Sequence, residues 1–370
     1  MCSIKKRSDK VELMKQVQLI IWDEVPMQHH FACEAVDRTL RDLLNKNVPF
    51  GGIPVAWGGD FQQTLPVIPK GSKEEIIDSC IQSSPLWHGV KKLFLKKNMR
   101  VEANDPNSQH FAQWLLDVGH GKDLPLDHTF EVPPHMICGP NVSDLILEIY
   151  PNIHMGMQLE DRFFLECGIL CPRNAEVDEI NAELYSQFPG QGRTYQSADC
   201  VKGREEADLY PVEYLNSLNF GGLPPSKLDV KPGVPLMLLR NIDPGMGLCN
   251  GTQLCFLWMS NKCLEVCILT GPCVGEVALI PCITVITNPN QLPFELHRQQ
   301  FPVQLGFAMT INKSQGQSLG TVGLDLRSPV FGHGQLYVGL SRGTNWNRVK
   351  VLLEDTNKTA NIVYKDVLLN

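Results

Sequence analysis

Two adjacent carboxylates follow a short apolar run near the start of the chain. Residues 19–22 are apolar, and Asp23 and Glu24 come directly after them. A run this short, without alternation, predicts a strand buried on both faces of a parallel sheet. In open α/β sheets, ligands bind beyond the carboxyl ends of such strands. An Asp there can hold Mg²⁺ on nucleotide phosphates and a Glu can polarise an attacking water, so the pair predicts half of a nucleotide-hydrolysing site.

A glycine-rich loop, residues 58–63, follows a second apolar run at residues 53–57. A helix predicted over residues 28–45 lies between the two runs, and this order indicates a parallel unit whose loops share one sheet edge. Glycine lets the backbone approach a ligand closely, and the amide of Gln63 can donate to a phosphate oxygen and accept from a water. A plain glycine-rich turn is the alternative, but the two loops together favour nucleotide chemistry.

A third polar segment begins sharply after an apolar stretch at residues 301–309, which is predicted to be a strand. Small hydroxyls, amides and a lysine suit phosphate oxygens, whether of a nucleotide or of a nucleic-acid backbone. The start of a polar helix is the alternative. The segment contains Thr310, Asn312, Lys313, Ser314, Gln315, Gly316 and Gln317.

One arginine ends a further apolar run. Residues 335–340 are predicted to form a strand of the parallel sheet, and Arg342 follows them. An Arg at the end of a buried strand is a candidate contact for a γ-phosphate, the role called an arginine finger. Arg100 stands out from a basic cluster at residues 91–100 that otherwise indicates a solvated face. His333 lacks partners at metal-ligand spacing and is interpreted as structural or exposed.

Composition sets wide limits. A chain of 370 residues can form two or three domains, and its net charge of −7 excludes nothing about nucleic acid, because binding depends on a local basic groove. The 13 cysteines include no C-x-x-C pair, which favours free thiols in a reducing compartment over zinc or disulfides. No apolar stretch is long enough for a membrane span and the first ten residues do not resemble a secretory signal, so we expect an intracellular protein without a membrane partner.

The pattern of apolar runs predicts the elements that position these residues. A third strand is expected at residues 93–95, and a helix over residues 106–121 precedes a proline-rich domain boundary. Strand and helix patterns restart at residues 168–172 and 174–184. Short apolar bursts with many Gly and Pro predict a small all-β insert at about residues 190–290. Parallel-sheet patterns then return at residues 301–309, 322–326 and 335–340.

These phrases occur in the order typical of one family. The chain resembles the ATP-dependent DNA helicases of the petite-integration-frequency type, in superfamily one and related to the bacterial RecD helicases. It is most similar to the helicase domain encoded by Helitron transposons. The phrases that carry the likeness are residues 19–24, 58–61, 98–100, 308–317 and 334–338, with residues 237–243 and 248–252 in the insert.

The resemblance implies an α/β fold of two RecA-like P-loop motor domains with a small SH3-like β insert. Residues 1–122 would be the C-terminal part of the first motor domain. Residues 123–189 and 291–370 would form a complete second one around the insert at 190–290. No segment matches G-x-x-x-x-G-K-[ST], so the phosphate loop is absent from this sequence and we expect a truncated first domain.

The resemblance also implies a role for each candidate residue. Mg²⁺ would be the cofactor and ATP the substrate. Asp23 would bind the metal and Glu24 the water, while Gln63 would sense the γ-phosphate and Arg100 and Arg342 would be arginine fingers. The nucleotide would also contact Gly59, Asp60, Gly316 and Gln317. Single-stranded DNA would contact Thr310, Asn312, Lys313, Ser314 and Gln315.

The implied function is ATP-dependent movement in the 5′-to-3′ direction on single-stranded DNA, with unwinding of duplex. The implied partners are single-stranded DNA and DNA junctions. The protein would be a nuclear monomer that acts in repair, recombination, telomere maintenance or rolling-circle transposition. Two alternatives remain. One is an inactive transposon-derived fragment that only binds single-stranded DNA, and the other is a P-loop ATPase without unwinding activity.

Overall fold

The computed structural model describes residues 2, 4, 8–99, 106–158, 163–202, 210–287, 292–354 and 357–369. In this part of the chain the helices are Asp9–Gln16, His30–Leu44, Lys73–Ser79, Pro106–His120, Val142–Ile149, Phe163–Glu166, Asn174–Gln187, Val212–Ser217, Gln335–Leu340 and Lys365–Leu368. The strands are Ile20–Trp22, Val55–Trp57, Thr129–Glu131, Cys167–Cys171, Arg193–Gln196, Ala198–Val201, Lys227–Val230, Pro235–Leu238, Gln253–Met259, Cys263–Ile268, Val277–Pro281, Ile283–Ile286, Leu296–Gln300, Val303–Leu305, Ala308–Thr310, Thr321–Asp325, Val349–Leu352 and Lys358–Ala360. No helix among these residues is long and apolar enough to cross a membrane.

The first sheet holds the two loops predicted to share an edge. Strand Ile20–Trp22 pairs in parallel with Val55–Trp57, and helix His30–Leu44 connects them, as predicted. Burial on both faces was a wrong prediction, because Ile21 is 76% exposed while Ile20 packs towards Leu40 on the other face. Nothing in the described residues covers the Ile21 face.

A strand predicted at residues 93–95 is also wrong. Residues 91–99 form no regular element, and the side chains of Leu93, Phe94 and Leu95 are 83%, 80% and 103% exposed. A strand requires a neighbour for its backbone hydrogen bonds. Three apolar residues fit a strand pattern whether or not such a neighbour lies beside them, so the pattern alone could not exclude this outcome.

The second sheet is also fully parallel. Its strand order is Ala308–Thr310, Cys167–Cys171, Thr321–Asp325 and Val349–Leu352. The strands predicted at 168–172 and 322–326 are therefore confirmed. The strand predicted at 335–340 is wrong, because Gln335–Leu340 is a helix. Most of its side chains are buried, so it lacks the polar face that reveals a helix in sequence.

The insert is mainly antiparallel. Five strands pair in one sheet and three in a second, and a short helix, Val212–Ser217, lies among them. Two later strands, Leu296–Gln300 and Val303–Leu305, pair with insert strands. The antiparallel sheets therefore extend past residue 290, the predicted end of the insert, and the run at 301–309 is divided between an antiparallel and a parallel strand.

One buried ion pair fixes the smaller insert sheet. The Arg298 guanidinium, whose side chain is 1% exposed, donates to both carboxylate oxygens of Asp199 on the adjacent strand. It also donates to the carbonyl oxygens of Leu215, Leu218 and Pro224. Burial of a charge is tolerated when pairing and hydrogen bonds are this complete. The arginine thereby joins two strands and the Val212–Ser217 helix into one unit.

Candidate active site

Asp23 and Glu24 lie at the carboxyl end of the first strand, as predicted. The Glu24 N–H donates to Asp23 Oδ1 at 2.9 Å. Glu24 has φ of 52° and ψ of 37°, a left-handed conformation that is uncommon for a residue other than glycine. Such backbone strain costs about 1–3 kcal/mol and is more frequent at functional sites than elsewhere. It directs the Glu24 carboxylate away from its own sheet.

The 58–63 loop packs directly against these carboxylates. The Gly58 N–H donates to the Trp22 carbonyl at 2.9 Å, and the Val25 N–H donates to the Gly58 carbonyl at 3.1 Å. A Cβ added at Gly58 would lie 2.8 Å from Asp23 Oδ1, and one at Gly59 would lie 2.1 Å from Pro26 Cδ. Glycine is required because the two loops approach too closely for side chains. The prediction that both loops share one edge is confirmed.

The 310–317 segment reaches this edge from the second domain. Gln315 Nε2 donates to Glu24 Oε2 at 3.0 Å, and Thr64 Oγ1 donates to Gln315 Oε1 at 2.5 Å. The amide of Gln315 therefore lies between two parts of the first domain. This contact joins residues 291 positions apart.

The start of helix Gln335–Leu340 makes a second contact between the domains. Tyr337 Oη donates to Asp60 Oδ2 at 3.1 Å, and His333 Nε2 lies 2.8 Å from the Phe61 carbonyl. Gly334 has φ of 71°, and a Cβ there would lie 2.4 Å from the Gln62 carbonyl oxygen. Sequence reasoning missed Tyr337, although its phrase contributed to the resemblance. His333 is structural, one of the two roles expected for it.

The side chain of Gln63 has an unsatisfied oxygen. Its Oε1 is buried and has no hydrogen-bond partner among the described residues. Neighbouring Gln62 is buried and its amide lies 2.8 Å from His120 Nδ1. A buried polar atom without a partner is costly, so the free oxygen of Gln63 fits a position that a water or ligand completes.

Arg342 is buried rather than open to the cleft, with 2% of the residue exposed. Its guanidinium donates to the carbonyl oxygens of Val338, Ser314 and Gln317, the last at 2.7 Å. Arg342 therefore joins the 310–317 segment to helix Gln335–Leu340, which precedes the arginine in the chain. Its predicted place at the end of a strand is wrong, since the preceding element is a helix. Arg100 lies outside the described residues.

The predicted DNA contacts differ in accessibility. Ser314 is fully buried and its hydroxyl donates to the Ile311 carbonyl at 2.7 Å. Asn312 Oδ1 accepts from Gln335 Nε2 at 3.0 Å. Lys313 is partly buried, and burial lowers its pKa while the nearby Asp178 carboxylate opposes that shift. Thr310 is half-buried beside them, whereas Gly316 is exposed at the tip of the segment.

The carboxylates form an incomplete set for a metal. Among the described residues no three His, Cys, Asp or Glu side chains come together as a metal site. Mg²⁺ usually takes one or two protein carboxylates and completes its octahedron with phosphate oxygens and water. The exposed Asp23 carboxylate, next to glycine backbone, suits such a site. Any Mg²⁺ here would depend on a nucleotide for most of its ligands.

Comparison with known sequences shows a likeness to one kind of helicase. A family model described as PIF1-like helicase matches residues 1–127. A second model, described as DNA helicase Pif1, 2B domain, matches residues 213–257. The ATP-dependent DNA helicase PIF1 of Xenopus laevis is 26% identical over 344 residues, and that of Homo sapiens is 28% identical over 341 residues. Over these residues the chain is similar to PIF1-like helicases. Each alignment covers 90% of this chain and 46% of the relative, so the chain spans about half the length of these helicases.

Solved structures of PIF1-like helicases share the fold. The Bacteroides Pif1 helicase in complex with ADP-AlF3 and ssDNA has a TM-score of 0.68 and 22% identity, covering all of this chain and 78% of the other. The Pif1 helicase from Candida albicans has a TM-score of 0.65 and 22% identity, covering 99% of this chain and 79% of the other. The architecture of RecA-like motor domains is thereby confirmed. The sequence relatives are named as ATP-dependent DNA helicases.

Proposed function

We propose that this chain provides the water-activating and DNA-gripping parts of an ATP-dependent DNA motor that moves 5′ to 3′ on single-stranded DNA. The observation that carries the proposal is the contact between Gln315 and Glu24 across the two domains. A motor must link a nucleotide site to a DNA-binding element, and here the two are one hydrogen bond apart. The relatives' names and the Bacteroides complex support ATP and single-stranded DNA as ligands.

In this proposal Asp23 holds Mg²⁺ through a carboxylate oxygen, and the ion neutralises charge on the phosphates. Glu24 accepts a proton from the attacking water, which lies near its carboxylate. Gln63 donates an amide N–H to the γ-phosphate, and its free Oε1 accepts from a water. Gly59 and Asp60 line the same edge.

The 310–317 segment is the proposed DNA contact. Lys313, Asn312 and Thr310 offer a cation, an amide and a hydroxyl but no set that would distinguish one base from another. Gly316 and Gln317 lie on the same turn, between the DNA side and the nucleotide side. A monomeric state rests on the resemblance stated from the sequence. DNA junctions and a nuclear location rest on the family resemblance alone.

Single-stranded DNA binding tests this function without ATP. Fluorescence anisotropy with labelled oligonucleotides should show preference for single strands, tolerance of sequence and weaker binding as salt rises. Lys313→Ala should reduce the slope of log K against log salt by about 0.7, the value for one lost phosphate contact on a single strand.

The control is Lys15→Ala, an exposed lysine paired with Glu12 on the first helix. This change should leave the slope as it is in the unmodified chain. Tighter binding to duplex, or a flat salt dependence, would reject single-stranded DNA as the ligand.

A further inference from the structure

The amide of Gln315 connects a DNA-side segment to the carboxylate expected to activate water. Its Nε2 donates to Glu24 Oε2, and its Oε1 accepts from Thr64 Oγ1. Thr64 is 4% exposed, so its hydroxyl has few other orientations. With one end fixed by Thr64, the amide can only present its N–H group towards Glu24.

Glu24 is held ready for this contact by its own backbone. The left-handed conformation is sustained by the hydrogen bond from the Glu24 N–H to Asp23 Oδ1. While Oε2 accepts from Gln315, the amide occupies one of its lone pairs and blocks a water from that side of the carboxylate. The contact therefore occupies one side of one carboxylate oxygen of Glu24.

The turn that carries Gln315 is anchored on two other sides. Arg342 donates to the carbonyls of Ser314 and Gln317, which flank it. Gln253, a buried residue of the insert, donates through Nε2 to Gln317 Oε1 at 3.4 Å. A ligand that displaces this turn would therefore displace Gln315 and alter its contacts with Arg342 and Gln253.

We propose that Gln315 is a positioning residue that couples occupancy of the 310–317 segment to the freedom of Glu24. Without DNA, Gln315 holds the Glu24 carboxylate. A backbone phosphate bound at the segment draws Gln315 away and frees Oε2 for water. This inference rests on the proposed function, since it takes single-stranded DNA as the ligand.

A double-mutant cycle on DNA affinity tests the coupling. The dissociation constant of a labelled oligothymidylate is measured, without nucleotide, for residues 1–370 and for Glu24→Ala, Gln315→Ala and the double variant. Glu24→Ala should tighten binding because the Gln315 contact no longer has to break. The tightening should be at least about threefold larger with Gln315 present than with Gln315→Ala, as expected for groups in direct contact.

Two further variants separate this coupling from a simple change in charge. Glu24→Gln removes the charge but keeps an acceptor oxygen, so it should tighten binding less than Glu24→Ala. Thr64→Val removes the hydroxyl that orients the amide and should reduce the coupling while Gln315 remains. Thr64→Val also serves if Gln315→Ala fails to fold.

The outcomes distinguish the inference from the proposed function. Equal effects of Glu24→Ala in both backgrounds, with clear DNA binding, would overturn the coupling alone. Absence of oligonucleotide binding by every protein would overturn the proposed function and the coupling together. A merely structural Gln315 would lower the melting temperature without altering how Glu24 affects affinity.

Discussion

His333 uses both ring nitrogens at the contact between the domains. Nδ1 accepts from the Tyr364 N–H at 2.8 Å, so the proton of the neutral ring lies on Nε2 and is donated to the Phe61 carbonyl. The residue is 3% exposed, and burial lowers the pKa of His333, although the carboxylate of Asp60 opposes the shift. Lys73, placed over the Tyr364 ring, adds a positive charge nearby.

Stability should therefore fall in mild acid. The neutral form is favoured by folding, so the unfolded chain binds more protons below its ordinary histidine pKa of about 6.5. The contribution is complete above that value and is lost as pH falls through the lower pKa of the folded protein. Urea unfolding from pH 7.5 to 5 would measure the change. His333→Gln can donate and accept at the same two places, and should unfold with a weaker dependence on pH in this range.

Arg342 should matter for folding. Its predicted role as an arginine finger remains a prediction, whereas the buried guanidinium donates to three carbonyl oxygens and so supports the local fold. Arg342→Ala should lower the free energy of unfolding by roughly 3 kcal/mol, because the carbonyls lose charged donors. Denaturant unfolding measures the change. Arg348→Ala, at an exposed arginine, should alter it by less than about 0.5 kcal/mol; a similar effect of both changes would contradict this assignment.

Single residues could be predicted from sequence only where local chemistry was enough. Asp23 and Glu24 follow an apolar run, and strand ends in such sheets commonly hold ligands. The contact of Glu24 with Gln315 could not be predicted, because it depends on how two domains meet and leaves no spacing in the sequence. The residue type of Gln315 suggested phosphate binding and gave no indication of a carboxylate partner.

At the scale of elements, the helix at 335–340 and the 58–63 loop form a tight junction between the domains. Gly334→Ala would place a Cβ 2.4 Å from the Gln62 carbonyl oxygen in a backbone with φ of 71°. Gly251→Ala is a matched control, because Gly251 has φ of 92° and nothing within 4 Å of the added atom. The control should cost about 1 kcal/mol from backbone conformation alone.

Gly334→Ala should cost about 1–3 kcal/mol more than the control, because the added methyl group forces the loop and helix apart. Unfolding in urea gives both values. Equal losses would show that the junction has room to adjust and that the approach of the two elements is not a constraint on this glycine.

Element type was predictable where the chain shows a clear face or a paired neighbour. Helix His30–Leu44 and strands Cys167–Cys171 and Thr321–Asp325 were placed well because each has a distinct pattern and a partner, whereas strand Val349–Leu352 was not predicted. The helix at 335–340 was taken for a strand because it is buried on nearly all sides. Residues 93–95 were taken for a strand because their pattern contains no information about a neighbouring strand.

At the scale of the whole molecule, residues 1–370 should not turn over ATP at a useful rate. The sequence contains no G-x-x-x-x-G-K-[ST] segment, whose backbone amides and Lys would bind the phosphates. Phosphate release should be measured with and without single-stranded DNA. Turnover of about 1 s⁻¹ or more, the low end of typical enzyme rates, would contradict the prediction.

The positive control is the same chain joined to a segment that contains G-x-x-x-x-G-K-[ST]. In that protein turnover should appear, and Glu24→Gln should remove it while leaving ATP affinity largely intact, because the role proposed for Glu24 is towards the water and not the nucleotide. A DNA-binding fragment without ATPase activity would be the simplest account if the fusion also failed to turn over ATP.

The left-handed backbone of Glu24 has an evolutionary consequence. Glycine and asparagine adopt that conformation at lower cost, so either would be favoured at position 24 if folding were the only requirement. A lineage that no longer needs hydrolysis should therefore drift towards such residues and gain stability as it does. A carboxylate kept at this position marks a lineage in which the chemistry is still under selection.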